Sequence, residues 1–157
     1  MINTTELNEW VRKKDIKNLS IKYFWEYVKM YILEVDDEYS NTLKKMYFNL
    51  ISLELYKVSL STVYDLQQDI LEVSMDINYF GECIGRYRVV YSLYAEYLDD
   101  SLDFDDIHYI IRLTDVYKKT ADIVKNALLE GIDNELILKI TDLSYEQMRL
   151  LVSSVDI

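Results

Sequence analysis

Proline is absent from this chain of 157 residues, and glycine occurs only three times. A β-rich domain of this size normally turns on many Gly, Pro and Asn-Gly pairs, so the shortage predicts long helices joined by short polar loops. Cysteine occurs once, at Cys83, which excludes an internal disulfide and fits a reducing compartment. No apolar run approaches ~18 residues, and the first residues, Met1 to Glu6, are polar. The sequence therefore predicts neither a membrane span nor a signal peptide, and a cytoplasmic location, bacterial or that of a host. Positive charge is also short: 17 Lys and Arg face 28 Asp and Glu, for a formal net charge of −11. Such a balance repels nucleic acid and anionic membranes and favours basic partners.

What is present is apolar and aromatic. Half of the residues are hydrophobic, enough for a single domain, 1–157, with its own core. From Val63 to Leu98, the residues Val63, Leu66, Ile70, Val73, Ile77, Phe80, Ile84, Tyr87, Tyr91, Tyr94 and Leu98 alternate in steps of three and four. Helical geometry places such residues on one stripe, and a repeat of 3.5 reads as a coiled-coil-like seam. A continuous helix of that length would run ~54 Å at 1.5 Å per residue. Gly81 and Gly85 predict a kink in it. The expected fold is all-α, six or seven helices packed around this long central element. The long seam and abundant aromatics also predict a homodimer.

The flanking segments read as shorter helices. Thr4 or Thr5 can cap the first, which carries Leu7, Trp10 and Val11. Ser20 is the expected cap of the second, with Phe24, Val28 and Ile32 on its apolar stripe, and Leu43, Met46, Leu50 and Leu55 form a third stripe. Helix resumes after the Asp-rich run 99–106, whose carboxylates suit a helix N-terminus, and Gly131 is a natural stop. Ser144 and Gln147 have the spacing of a capping box that opens a final helix with Met148, Leu151 and Val152.

Within this C-terminal segment, Ala127-Leu128-Leu129-Glu130-Gly131, Glu135-Leu136, Ile140-Thr141 and Leu143-Ser144-Tyr145-Glu146 carry a resemblance. The segment 130–157 is helix-turn-helix-like and resembles the helical tail of transposase-like nucleases of the PD-(D/E)XK superfamily. Asp142 stands where that tail has Gly, and Met148 falls one position past its usual Ile. The resemblance covers under a fifth of the chain. The nuclease core needs an Asp on one strand and a Glu-x-Lys on the next, and the sequence predicts no strands to carry them, so nuclease activity is not implied.

Chemistry is hard to find. His108 is the only histidine, and on an amphipathic helix it reads as a half-buried packing residue. Asp99, Ser101, Asp103 and Asp105 alternate as a calcium loop would, but Phe104 and Ile110 occupy the positions that want Gly and Glu. A solvated acidic loop is the better reading. Cys83 reads as a buried structural thiol, since no catalytic partner is evident. No residue set calls for a metal or a cofactor, and the chain does not read as an enzyme.

Fifteen tyrosines and two acidic clusters remain. Tyr is enriched at interface hot spots, and Tyr87, Tyr91 and Tyr94 continue the seam where aliphatic residues give way. Asp36, Asp37 and Glu38, with Asp99, Asp100, Asp103, Asp105 and Asp106, form the expected protein-binding surface. Asp65, Asp69, Glu72 and Asp76 along the central helix would extend it into a row resembling phosphates. The expected function is an acidic inhibitor that binds a protein with a basic surface. Such proteins include phage-encoded, anti-CRISPR-like inhibitors of bacterial defence nucleases and toxin immunity proteins. The alternative is a helix-turn-helix DNA-binding regulator, but Glu130, Asp133, Glu135, Asp142, Glu146 and Asp156 face only Lys139 and Arg149 there.

Overall fold

The computed structural model describes residues 4–65 and 67–153. Two helices lead, α1 (Thr4–Lys13) and α2 (Ile16–Glu34), followed by short α3 (Glu38–Leu43) and a single 3-10 turn, Phe48–Leu50. Four strands follow: β1 (Ile51–Val63), β2 (Gln68–Tyr79), β3 (Glu82–Ser92) and β4 (Tyr97–Phe104). Helices α4 (Ile107–Leu129), α5 (Asn134–Thr141) and α6 (Tyr145–Ser153) complete the chain. The strands form one antiparallel meander in the order β1-β2-β3-β4.

The all-α expectation is therefore overturned, and with it the long central helix and its coiled-coil-like seam. Of the expected seam, Val63, Ile70, Val73, Ile77, Ile84, Tyr87, Tyr91 and Leu98 lie in strands, and Phe80 and Tyr94 lie in the turns between them. Leu66 lies outside the described residues. Burial along the strands runs with period two. In β2, Leu71, Val73, Met75, Ile77 and Tyr79 are buried; in β3, Gly85, Tyr87, Val89 and Tyr91 are. In alternating steps of three and four, each step of four keeps a strand's face and each step of three changes it. Val73 with Ile77 and Tyr87 with Tyr91 thus matched from the inward register, and apolar residues on the other register (Ile70, Phe80, Ile84) supplied further matches. The tyrosines and β-branched residues that looked like a helical seam are good strand formers. Several members of that seam lie in the sheet's own core, so the seam gives no argument for a homodimer.

The scarcity of glycine proved compatible with three hairpins. Phe80 (φ 54) and Gly81 (φ 94) form the two-residue link between β2 and β3, with the positive φ at both positions that a type I′ turn requires. Gly81 is thus a hairpin residue, not a helix kink. The other two turns place Gln67 (φ 49) and Ala95 (φ 68) in the left-handed region without glycine. At the β3–β4 turn, the Ser92 hydroxyl accepts from the backbone N–H groups of Tyr94 and Glu96, both at 3.2 Å. That side-chain bonding offsets the conformational cost. Gly85 has a different reason: a Cβ there would sit 2.3 Å from the Asp103 carbonyl on β4.

Helices cover one face of the sheet. Phe24 of α2 packs edge-on to Tyr87 at 5.3 Å, and Tyr117 of α4 packs edge-on to Tyr79, also at 5.3 Å. Tyr79 is fully buried with its hydroxyl satisfied, accepting from the Tyr47 N–H at 3.2 Å and facing the Thr114 hydroxyl at 3.3 Å. Ser20 does not cap α2, which starts four residues earlier. It is buried mid-helix, 2.9 Å from the Tyr91 hydroxyl. The opposite face carries Glu54, Lys57, Arg86, Arg88 and Asp103, all exposed. A smaller core of Val124, Ile137 and Met148 joins α4, α5 and α6. There Ser144 and Gln147 form the expected capping box, with reciprocal bonds of 3.1 and 2.9 Å. Gly131 (φ 72) follows the end of α4, and Asp142 adopts φ 55 at the end of α5. No described helix is long and apolar enough to cross a membrane.

Candidate functional site

Tyr23, Tyr27 and Tyr31 are four residues apart in α2, so they share one stripe of the helix. That stripe meets the rim of the sheet where β3 pairs with the edge strand β4. Tyr23 lies 4.8 Å from the Tyr97 ring and 6.2 Å from Tyr91; Tyr27 lies 6.0 Å from Tyr87 and stacks on Tyr31 at 5.6 Å. Six tyrosines thus line the seam between one helix and two strands. The four-residue spacing of the first three was visible in the sequence. Their strand partners were not, because the strands were unrecognised.

Asp100 sits at the centre of this seam. Its register partner is Val89, a core position, so it points to the helix-covered side of β4. The Tyr87 hydroxyl donates a hydrogen bond to its carboxylate. Burial pushes the Tyr87 hydroxyl well above the usual tyrosine range, and the bond to Asp100 adds to this. Tyr97 is pushed up to about 12, first by burial and then by Asp100 beside it. Tyr27 rises through burial and through the charges of Asp100 and Asp37. Among the described residues no Lys, Arg or His pairs with Asp100, and its carboxylate is met by the Tyr87 hydroxyl.

The run 99–106 is not a loop. It is most of an edge strand followed by a helix cap, and alternation splits its carboxylates. Asp99 and Asp103 pair with Val90 and Arg86 on the open face, opposite to Asp100. Asp105 is exposed at the junction with α4, and Asp106 caps that helix, accepting from the Tyr109 N–H at 2.9 Å. That bond, foremost, holds the Asp106 carboxyl below the usual range.

The other acidic cluster comes close to this junction. Glu38 lies 3.6 Å from His108, and Tyr39 stacks on Phe104 at 6.0 Å, so the start of α3 abuts the β4–α4 connection. His108 is exposed there, not half-buried as expected. Asp36 is exposed, whereas Asp37 caps α3: it accepts from the Ser40 N–H at 2.7 Å and from the Tyr31 hydroxyl at 2.6 Å. The Ser40 bond first, then the Tyr31 bond, lowers the Asp37 carboxyl, while Tyr31 itself is pushed up to about 12, chiefly by its bond to Asp37.

The expected residues therefore have different environments. Glu38 and the helix cap Asp106 both approach His108, exposed Asp36 and Asp105 flank that junction in the chain, and Asp100 lies further back along β4. Tyr87 and Tyr91 are fully buried and present no ring to a partner, while Tyr94 is 81% exposed in the β3–β4 turn. The acidic row expected on a central helix is dispersed. Asp65 lies in the β1–β2 turn, Asp69 accepts from the Thr62 hydroxyl at 2.7 Å, and Glu72 and Asp76 face the open side of the sheet. Asp76 is paired there with Arg86 at 3.0 Å, beneath a cation–π contact of 4.0 Å between Arg86 and Tyr56. Cys83 is exposed near the β2–β3 turn, not buried. Among the described residues, no group of three or more His, Cys, Asp or Glu side chains is placed to hold a metal ion. Compared with family models, curated proteins and solved structures, this chain matches none.

Proposed function

We propose that this protein binds a basic surface of another protein and inhibits it by occupying that surface. The observation that carries this reading is the junction of α3, β4 and α4. Segments far apart in the chain meet where Glu38 lies 3.6 Å from His108. The exposed carboxylates Asp36 and Glu38 at the start of α3 and Asp105 at the β4–α4 connection flank this one junction beside the tyrosine seam, with His108 and Arg112 as the cations described there. On a body of net charge −11, such a cluster steers association towards cations and disfavours acidic partners. Natural counterparts in this class are inhibitors of nucleic-acid-handling enzymes and immunity proteins that neutralise toxins, both acting in a bacterial or host cytoplasm.

The segment that resembles a helix-turn-helix is less suited to DNA. Glu130, Asp133, Glu135, Asp142 and Glu146 are all exposed around α5 and α6, against Lys139 and Arg149. Phosphate contacts supply most DNA affinity, and this surface opposes them.

The test is affinity capture from the source cell or its host with the wild type and with a triple variant, Asp36→Lys, Glu38→Lys and Asp105→Lys. None of the three caps a helix. A partner with a basic surface should be retained by the wild type, be inhibited by it after purification, and be lost by the variant. Equal retention of every partner by both proteins at low salt would refute the reading.

A further inference from the structure

Between α2 and the start of β4 lies a cleft of about 200 Å³ lined by Tyr23, Glu26, Tyr27, Met30, Tyr97 and Asp100. Three of its walls are aromatic, one is a thioether, and two are carboxylates. Glu26 is 58% exposed by side chain and shares its charge with Lys22 at 3.6 Å. Asp100 is half-buried and is met by the Tyr87 hydroxyl. An anionic group is repelled by the two carboxylates, and a neutral one gains ring contact and hydrogen bonds without charge. A cation gains from the ring faces and from a carboxylate that water solvates poorly. Between cations, the tilted Tyr23 and Tyr97 rings, 4.8 Å apart, offer flat surfaces to a planar group, and guanidinium stacks and forks where ammonium cannot.

We infer that this cleft is the receptor for one arginine side chain of a partner protein, its guanidinium lying against Tyr23, Tyr27 and Tyr97 and hydrogen-bonded to Asp100. The assignment rests on the proposed binding of a basic protein and names its anchoring contact. The surface carboxylates at the α3–β4–α4 junction attract the partner; the cleft selects a residue within it.

The test uses the whole protein and short capped peptides, Ac-Gly-Arg-Gly-NH2 and its lysine and citrulline counterparts, titrated while amide chemical shifts are followed. The arginine peptide should perturb Tyr27, Tyr97 and Asp100, and bind about tenfold tighter than the neutral citrulline peptide. The lysine peptide should fall between them. Free arginine should bind more weakly than its peptide, because its own carboxylate meets Asp100 and Glu26; equal binding would make the free amino acid the ligand and overturn the assignment. Tyr97→Ala and Glu26→Gln, on the cleft rim, should weaken the arginine peptide several-fold without unfolding the protein. Asp100→Asn should remove the preference for arginine over citrulline. Citrulline binding as well as arginine, or shifts mapping outside the cleft, would overturn the inference.

Capture separates the two claims. Retention of a basic partner by Tyr97→Ala and Glu26→Gln, alongside its loss by the surface triple variant, would reject the arginine anchor and leave the partner reading standing. Peptide binding without capture of any basic partner would do the reverse, keeping the cation cleft and rejecting the partner reading and the anchor's protein source.

Discussion

Asp76 and Asp100 stand on opposite faces of one sheet and are stabilised differently. Asp76, on the open face, has a cation of its own: Arg86 at 3.0 Å, which also covers the Tyr56 ring. Asp100, on the helix-covered face, has a hydroxyl donor instead, Tyr87, with Tyr97 beside it at the cleft, and its charge remains available there. A charge paired within its own chain has little left to offer a partner. One held by neutral donors stays a recognition element, and this is why the binding face is assigned to the α2–β4 rim and not to the open sheet, although the open face carries carboxylates too.

Three sets of substitutions and one titration probe this difference between the faces. Tyr87→Phe should have the largest effect, because it strips a donor from a half-buried carboxylate. A charge-assisted bond of this kind contributes about 2 kcal/mol, and a chain of this size should lose about 6 °C in Tm. A loss no greater than that of Arg86→Ala would remove the distinction between the faces. Next is alkaline titration. Tyr91 and Tyr97, each pushed up to about 12 and both foremost by burial, sit above the unfolded value of about 10. The folded state thus binds more protons above pH 10, so their contribution is intact below pH 10 and is lost as pH climbs towards 12. Tyrosinate absorbance should therefore rise with loss of the circular dichroism signal; ionisation of all tyrosines before unfolding would contradict the buried seam. Arg86→Ala should lower Tm by less than Tyr87→Phe, since the pair is solvent-screened, and high salt should shrink that difference further. The triple variant Asp36→Lys, Glu38→Lys and Asp105→Lys should have the smallest effect, leaving Tm within about 2 °C, as exposed positions usually do.

Legibility in the sequence followed the local signals. The C-terminal helices could be read because their stops and starts are chemical and local: Gly131 follows the end of α4, and the Ser144–Gln147 box joins residues only three apart at the start of α6. The centre could not be read the same way. Leu71 to Tyr79 alternates inward residues with Glu72, Ser74, Asp76 and Asn78, a strand pattern, yet apolar residues at Ile70, Phe80 and Val90 blur it into a helical one. The turns between strands gave little warning, because Gln67, Phe80 and Ala95 adopt positive φ without being glycine. The site depended on that centre. Asp99 and Asp100 are adjacent in sequence and equivalent in composition, and only the strand's alternation turns one to solvent and the other to the tyrosines. The apolar stripe of Phe24, Val28 and Ile32 was legible in α2, but what the neighbouring Tyr23, Tyr27 and Tyr31 face required the sheet.

If an exposed acidic junction beside the tyrosine seam recruits a basic protein, the association rate of the captured partner must depend on ionic strength. For the wild type the rate should fall steeply with added salt, and the Asp36→Lys, Glu38→Lys and Asp105→Lys variant should associate more slowly with a flattened salt dependence. Equal rates and equal salt slopes for the two proteins would contradict it.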